Sequence, residues 1–103
     1  MNKIEPEMPP IVYSGYYDAP LAFVVEYKES VYLFWRGGFD DDIDDYPSDY
    51  EISLIKEVSF EEIKNQWEIM TNRKYIGRIH FKEIKFDATK RKYISSEIFT
   101  KIL

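Results

Sequence analysis

The chain has 103 residues and a mass of 12.4 kDa, room for one domain, and its 45% hydrophobic and 32% charged residues place it among chains that bury a core rather than among disordered ones. It has no cysteine and a single histidine, His80, which excludes disulfides, thiolate zinc ligands and a cysteine nucleophile and leaves imidazole chemistry to one residue. The formal charge of −5 argues against free binding to nucleic acid phosphates and favours a basic protein partner; residues 1–58 carry −9 (13 acids, 4 bases) and residues 59–103 carry +4 (6 acids, 10 bases).

Residues 1–10 hold Pro6, Pro9 and Pro10 among charges and are expected to form a flexible N-terminal tail, with a single α+β domain over residues 11–103. No run within the first residues has the apolar length of a leader, and no window approaches the ~20 apolar residues of a membrane span, so a cytoplasmic, soluble chain without membrane contact is expected. Ile11, Val12 and Tyr13 read as a short strand, and residues 14–20 as a turn in which Gly15 is free to take positive φ.

The run LAFVVEY sets Leu21, Phe23, Val25 and Tyr27 on one face, and VYLFW sets Val31, Leu33 and Trp35 opposite Tyr32 and Phe34. Only Lys28, Glu29 and Ser30 intervene, so the two strands are expected to pair antiparallel as a central hairpin. Arg36, Gly37 and Gly38 close the second strand, and FDDDIDDYPSD follows as a loop. Tyr50, Ile52 and Leu54 then alternate with Glu51 and Ser53 as a third strand.

Ser59 with Glu62 forms a capping box, and Val58 with Ile63 a hydrophobic staple. Phe60, Ile63, Trp67 and Met70 make one apolar stripe, and Asn72, Arg73 and Lys74 suit a helix C-terminus. One main amphipathic helix packed on one face of an antiparallel sheet is therefore expected. Near Lys82 and Glu83 the alternation changes phase, which requires a bulge or a helical turn. KYISSEIFTKIL reads as a strand through Tyr93 and Ile94, then a short helix capped by Ser95 or Ser96 and burying Ile98, Phe99, Ile102 and Leu103.

The acidic loop is the main candidate for function. Asp40, Asp41, Asp42, Asp44, Asp45 and Asp49, with Tyr46 among them and Tyr16 and Tyr17 in the first turn, have the composition of a face that meets a basic partner. A solvated loop is the plainer reading of the same residues. Counted from Asp40, Asp42, Asp44 and Glu51 fall at positions 3, 5 and 12 of a calcium loop, an alternative metal set; Asp45 stands where that loop needs glycine, and Pro47 follows. Glu61 with Glu62 and Asp41 with Asp42 are adjacent and point apart, so neither pair is an acid/base couple, and no glycine loop cradles a phosphate. His80 is the residue a hydrolase would have to use, and a surface histidine is its plainer reading. No catalytic residue and no cofactor are expected.

Tyr17, Asp18, Ala19, Pro20 and Leu21, followed by FVVEYKESVYLFW and an acidic loop, resemble the opening of small uncharacterised bacterial proteins that begin with a Tyr-Asp-Gly-Pro-Leu turn and a hairpin. The likeness covers residues 16–55, with Ala19 in place of glycine, and implies no catalytic residue. In size, acidity and α+β build the chain also resembles the immunity proteins that bacteria make against their own toxins. That likeness implies an inhibitor that covers a basic surface of a toxin, such as a nuclease; a phage inhibitor of a host defence nuclease or a divalent-cation-binding regulatory domain would share these features.

Overall fold

Residues 7–103 are described by a computed structural model. Its five strands are β1 (Ile11–Tyr17), β2 (Ala19–Tyr27), β3 (Ser30–Trp35), β4 (Asp49–Ile55) and β5 (Arg73–His80), joined antiparallel in the order β1-β2-β3-β4-β5. Two short helices, α1 (Phe60–Ile63) and α2 (Ile98–Ile102), complete an α+β domain.

The central hairpin forms as its alternation requires. Tyr27 pairs with Ser30, and the two residues between them, Lys28 and Glu29, both have positive φ (49° and 67°). Left-handed values at both turn positions match the right-handed twist of the strands, although neither residue is the Asn or Gly that such a turn prefers. The first reversal is tighter than the expected turn over residues 14–20. Tyr17 pairs directly with Ala19 around Asp18 at φ 58°, so residues 14–17 and 19–20 belong to strands. Gly15 keeps its special conformation at φ 72°, where a Cβ would come 2.8 Å from Leu21 Cδ1.

Both faces of the sheet are covered, by different segments. Phe23, Val25, Tyr32, Phe34, Tyr50, Ile52 and Ile79 face Ile84, Ile94, Ile98 and Phe99 from the C-terminal segment. On the opposite face, Ala22, Val24, Val31, Leu33 and Ile55 meet Phe60, Ile63 and Met70. Phe23 and Phe34 stack at 4.6 Å, and Tyr27 stacks on Phe99 at 4.2 Å, which locks the C-terminal layer to the hairpin.

In place of the one main amphipathic helix expected, the second layer contains two short turns. Ser59 caps α1 as expected: the Glu62 amide donates to its Oγ at 3.2 Å, and its hydroxyl donates to the Glu62 carboxylate at 3.1 Å. The helix then ends after one turn at Lys64, and a separate 3₁₀ turn covers Trp67–Ile69. The cause is geometric. The Lys56 amide donates to the Asn72 carbonyl at 2.9 Å, so this connection must leave β4 and return to the same place to begin β5. A straight helix over residues 59–74 would carry the chain roughly 20 Å away. Breaking it into two turns keeps Phe60, Ile63, Trp67 and Met70 against the sheet while Arg73 and Lys74 become strand.

The phase change near Lys82 is a helical turn, Phe81–Glu83. Beyond it, Tyr93 and Ile94 form isolated bridges to Pro10 and Phe86 rather than a strand. The position before α2 is Glu97, without a side-chain cap; Ser95 Oγ accepts from the Glu97 amide instead. Ile98 and Phe99 are buried, Ile102 is half-buried, and Leu103, expected inside, is exposed because the helix ends there. Of the tail expected over residues 1–10, residues 1–6 lie outside the described residues. The Glu7 and Pro9 carbonyls accept from the amides of Ser96 and Ile94 at 2.8 and 3.2 Å.

Candidate functional site

The loop between β3 and β4 closes on itself before it reaches β4. The Asp40 amide donates to the Asp45 carbonyl at 2.8 Å and the Asp45 amide returns a bond to Asp40 at 3.3 Å, a miniature hairpin whose bend contains Asp44 at φ 53°. Asp40 holds the bend by its own side chain, its Oδ1 accepting from the Asp42 amide at 2.9 Å, and Asp45 Oδ1 accepts from the Tyr46 amide at 2.7 Å where the chain leaves it. Such side-chain turns are a reason for Asp here that has nothing to do with a partner. Asp41, Asp42 and Asp44 remain exposed, and Ile43 at the tip is 59% exposed.

Tyr46 joins this loop to the first turn. Its ring lies 5.5 Å from that of Tyr17 and 5.4 Å from that of Phe39, so two aromatics of this loop and one of the first turn form one cluster beside the acids. Tyr17 and Phe39 are about half exposed, which leaves their faces available to a partner.

What places these parts side by side is Arg36, only 3% exposed. Its Nε donates to the Pro47 carbonyl at 2.7 Å; its Nη1 donates to Asp18 Oδ1 at 2.8 Å and to the Tyr17 carbonyl at 3.2 Å. The guanidinium also lies 4.9 Å from the Phe81 ring. A buried cation needs several acceptors to offset its lost hydration, and this one gathers them from the first turn and from the end of the acidic loop. Beneath it, the Tyr50 hydroxyl donates to the Pro20 carbonyl. Burial pushes the Tyr50 phenol well above its ordinary range, with neighbouring Arg36 opposing the shift, so the hydroxyl remains a donor.

The expected partner-facing residues therefore divide. Asp40, Asp41, Asp42, Asp44, Asp45, Tyr46 and Tyr17 belong to one surface. Tyr16 does not join the cluster around Tyr46: the Arg91 guanidinium lies 4.5 Å from its ring, and Tyr13 packs on its edge at 6.3 Å. Asp49 opens β4 opposite His80, in a cleft of about 430 Å³ with Trp35, Arg36, Glu51 and Arg78.

The residues at calcium-loop spacing are not brought together. The chain closes between Asp40 and Asp45, while Glu51 lies on β4 and pairs with Arg78 at 3.0 Å. Among the described residues no three of His, Asp and Glu gather as a metal-holding group. His80 is a turn cap: its Nδ1 accepts from the Lys82 amide at 3.1 Å and its ring stacks on Phe81.

Two features were not visible in the sequence. In the sequence Arg36 reads as a strand terminator, and nothing in its neighbours gives away its burial. Trp35 has the expected strand phase but is 46% exposed, because the layer of α1 and the 3₁₀ turn stops short of it. It walls both the cleft beside Arg36 and a second one of about 390 Å³ with Trp67, Met70 and Arg73. Among the described residues no helix is long and apolar enough to cross a membrane. No family model, curated protein or solved structure matches the chain.

Proposed function

We propose that this chain is a small protein-binding inhibitor of the immunity type, a cytoplasmic binding protein rather than an enzyme, which covers a basic surface of its partner with the acidic loop and the aromatics beside it. The observation that supports this is the cluster of Tyr17, Phe39 and Tyr46 next to the exposed Asp41, Asp42, Asp44 and Asp45, held by the buried Arg36. Carboxylates at the rim steer a cationic surface and give specificity, while aromatic rings at the centre contribute contact area at low entropic cost. A toxin that handles nucleic acid has a groove of the required charge, and a row of carboxylates occupies such a groove in place of phosphates.

The test is co-purification of the tagged chain from its own host at low and moderate salt, in parallel with a variant carrying Asp41→Lys, Asp42→Lys, Asp44→Lys and Asp45→Lys. A basic protein that is retained by the native chain, released by salt and absent from the variant is the expected result. Retention of the same protein by a folded variant overturns the reading.

A further inference from the structure

We propose that the free edge of β5 accepts an extended segment of a partner as a sixth strand, and that this segment alternates acidic with apolar residues. The surface is separate from the acidic loop and its aromatics, and the inference does not rest on them.

The two edges of the sheet differ. At β1 the Ile11 amide donates to the Lys92 carbonyl at 2.8 Å and Pro10 bridges Tyr93, so the C-terminal segment closes the start of that edge. Among the described residues β5 pairs with β4 alone, and no main-chain hydrogen bond from outside β4 reaches the main chain of Arg73–His80. Arg73, Lys74, Tyr75 and Arg78 are exposed. An edge of this kind presents unpaired donors and acceptors to any strand that can lie beside it.

Charge decides which strand that is. Residues 73–82 contain Arg73, Lys74, Arg78 and Lys82 and no acid, in a chain whose net charge is −5. Two copies paired through β5 would set these cations against each other, and the bulge at Ile76 of β5, the extra residue between Tyr75 and Gly77 where β4 runs from Ser53 to Ile52, twists the edge away from a long self-pairing. An acidic segment reverses the sign of that interaction.

Register gives the pattern. Arg73, Tyr75 and Arg78 stand opposite Ile55, Ser53 and Glu51, on the sheet face where Trp35 is left open. Ile79 stands opposite Tyr50, and it and Ile76 belong to the core of the other face. A strand added outside β5 therefore meets Arg73, Tyr75 and Arg78 on one face and, on the other, Lys74 at the start of the strand followed by the aliphatic Ile76 and Ile79. Alternating Glu and Val satisfies both, with Glu beside Arg73 and Arg78.

The probes are two labelled synthetic peptides, Glu-Val-Glu-Val-Glu-Val and Lys-Val-Lys-Val-Lys-Val, offered to the full chain. The Glu peptide is expected to slow amide hydrogen exchange within residues 73–80 and to bind at least about tenfold more tightly than the Lys peptide, with the preference shrinking as salt rises. In a double variant, Arg73→Glu with Lys74→Glu, two acids then stand against Arg78 and Lys82, and the preference is expected to disappear while exchange in β2 and β3 is unchanged. Equal binding of the two peptides, or binding that leaves exchange in residues 73–80 unaltered, overturns the inference. The salt and exchange measurements on the native chain decide it even where the double variant fails to fold. Neither result bears on whether the acidic loop holds a basic partner, which the Asp→Lys variant tests separately.

Discussion

The Nε of Arg36 donates to the carbonyl of Pro47 at 2.7 Å, and through that bond the end of β3 fixes the far end of the acidic loop. The same guanidinium holds Asp18 and the Tyr17 carbonyl, so one side chain sets the separation of the two segments that carry Tyr17 and Tyr46. A planar fork is required for this; a lysine ammonium in its place reaches one acceptor well and leaves the others short.

Arg36→Lys is expected to lower stability by about 2–3 kcal/mol, since buried carbonyls lose their donors while the charge stays buried. Asp18→Asn should cost less, because the Asp18 side chain is 51% exposed and water replaces part of what is lost. Urea unfolding of both variants provides the comparison. An Arg36→Lys protein as stable as the native one would show that the staple does not hold the loop.

Tyr46→Ala removes the ring that touches both Tyr17 and Phe39 but leaves its backbone bond to Asp45. Partner affinity should fall by roughly tenfold or more, while the thermal midpoint changes little. Titration calorimetry beside a melting curve separates the two effects.

Tyr50→Phe deprives the buried Pro20 carbonyl of its donor, at a cost of about 1–2 kcal/mol. Its pH dependence has a definite sign. Burial raises the phenol above its ordinary value, so the folded state favours the protonated form; the linked stability is present below about pH 10 and is lost as pH rises beyond it. The Phe variant should therefore lose less stability than the native chain on going to strongly alkaline pH. Parallel losses would remove Tyr50 from the alkaline transition.

Asp87 organises the turn before Tyr93. Its carboxylate accepts from the amides of Thr89, Lys92 and Tyr93 at 3.0, 2.9 and 3.0 Å and from the Thr89 hydroxyl. Desolvation acts to raise its pKa, but the four donors outweigh it and hold the carboxyl well below the usual range. The stability tied to this shift is present above about pH 4 and drains away as pH falls below it. Asp87→Ala should cost about 1 kcal/mol at neutral pH, and its stability should fall less steeply than that of the native chain under acid, as followed by circular dichroism.

Replacing Lys28 and Glu29 with Asn and Gly should stabilise the chain by about 1 kcal/mol, because both positions have positive φ and the native residues are strained there. A lower denaturation midpoint for that variant would mean the two side chains contribute more than their backbone strain costs.

The sequence by itself determined what is local. Alternation from residue 21 to residue 35 specified the hairpin, Ser59 and Glu62 specified the start of α1, and the Asp run specified a loop, since these depend on neighbours within a few positions. The tertiary structure decided the rest. Helix α1 stops after one turn because β5 must begin beside the end of β4, and Arg73 and Lys74 become strand for the same reason. Arg36 is buried because the first turn and Pro47 bring it acceptors from 18 and 11 residues away. Trp35 is exposed because the layer above it ends. Each of these outcomes depends on which distant segment arrives to cover or pair a residue, and the residue's own neighbours carry no record of that.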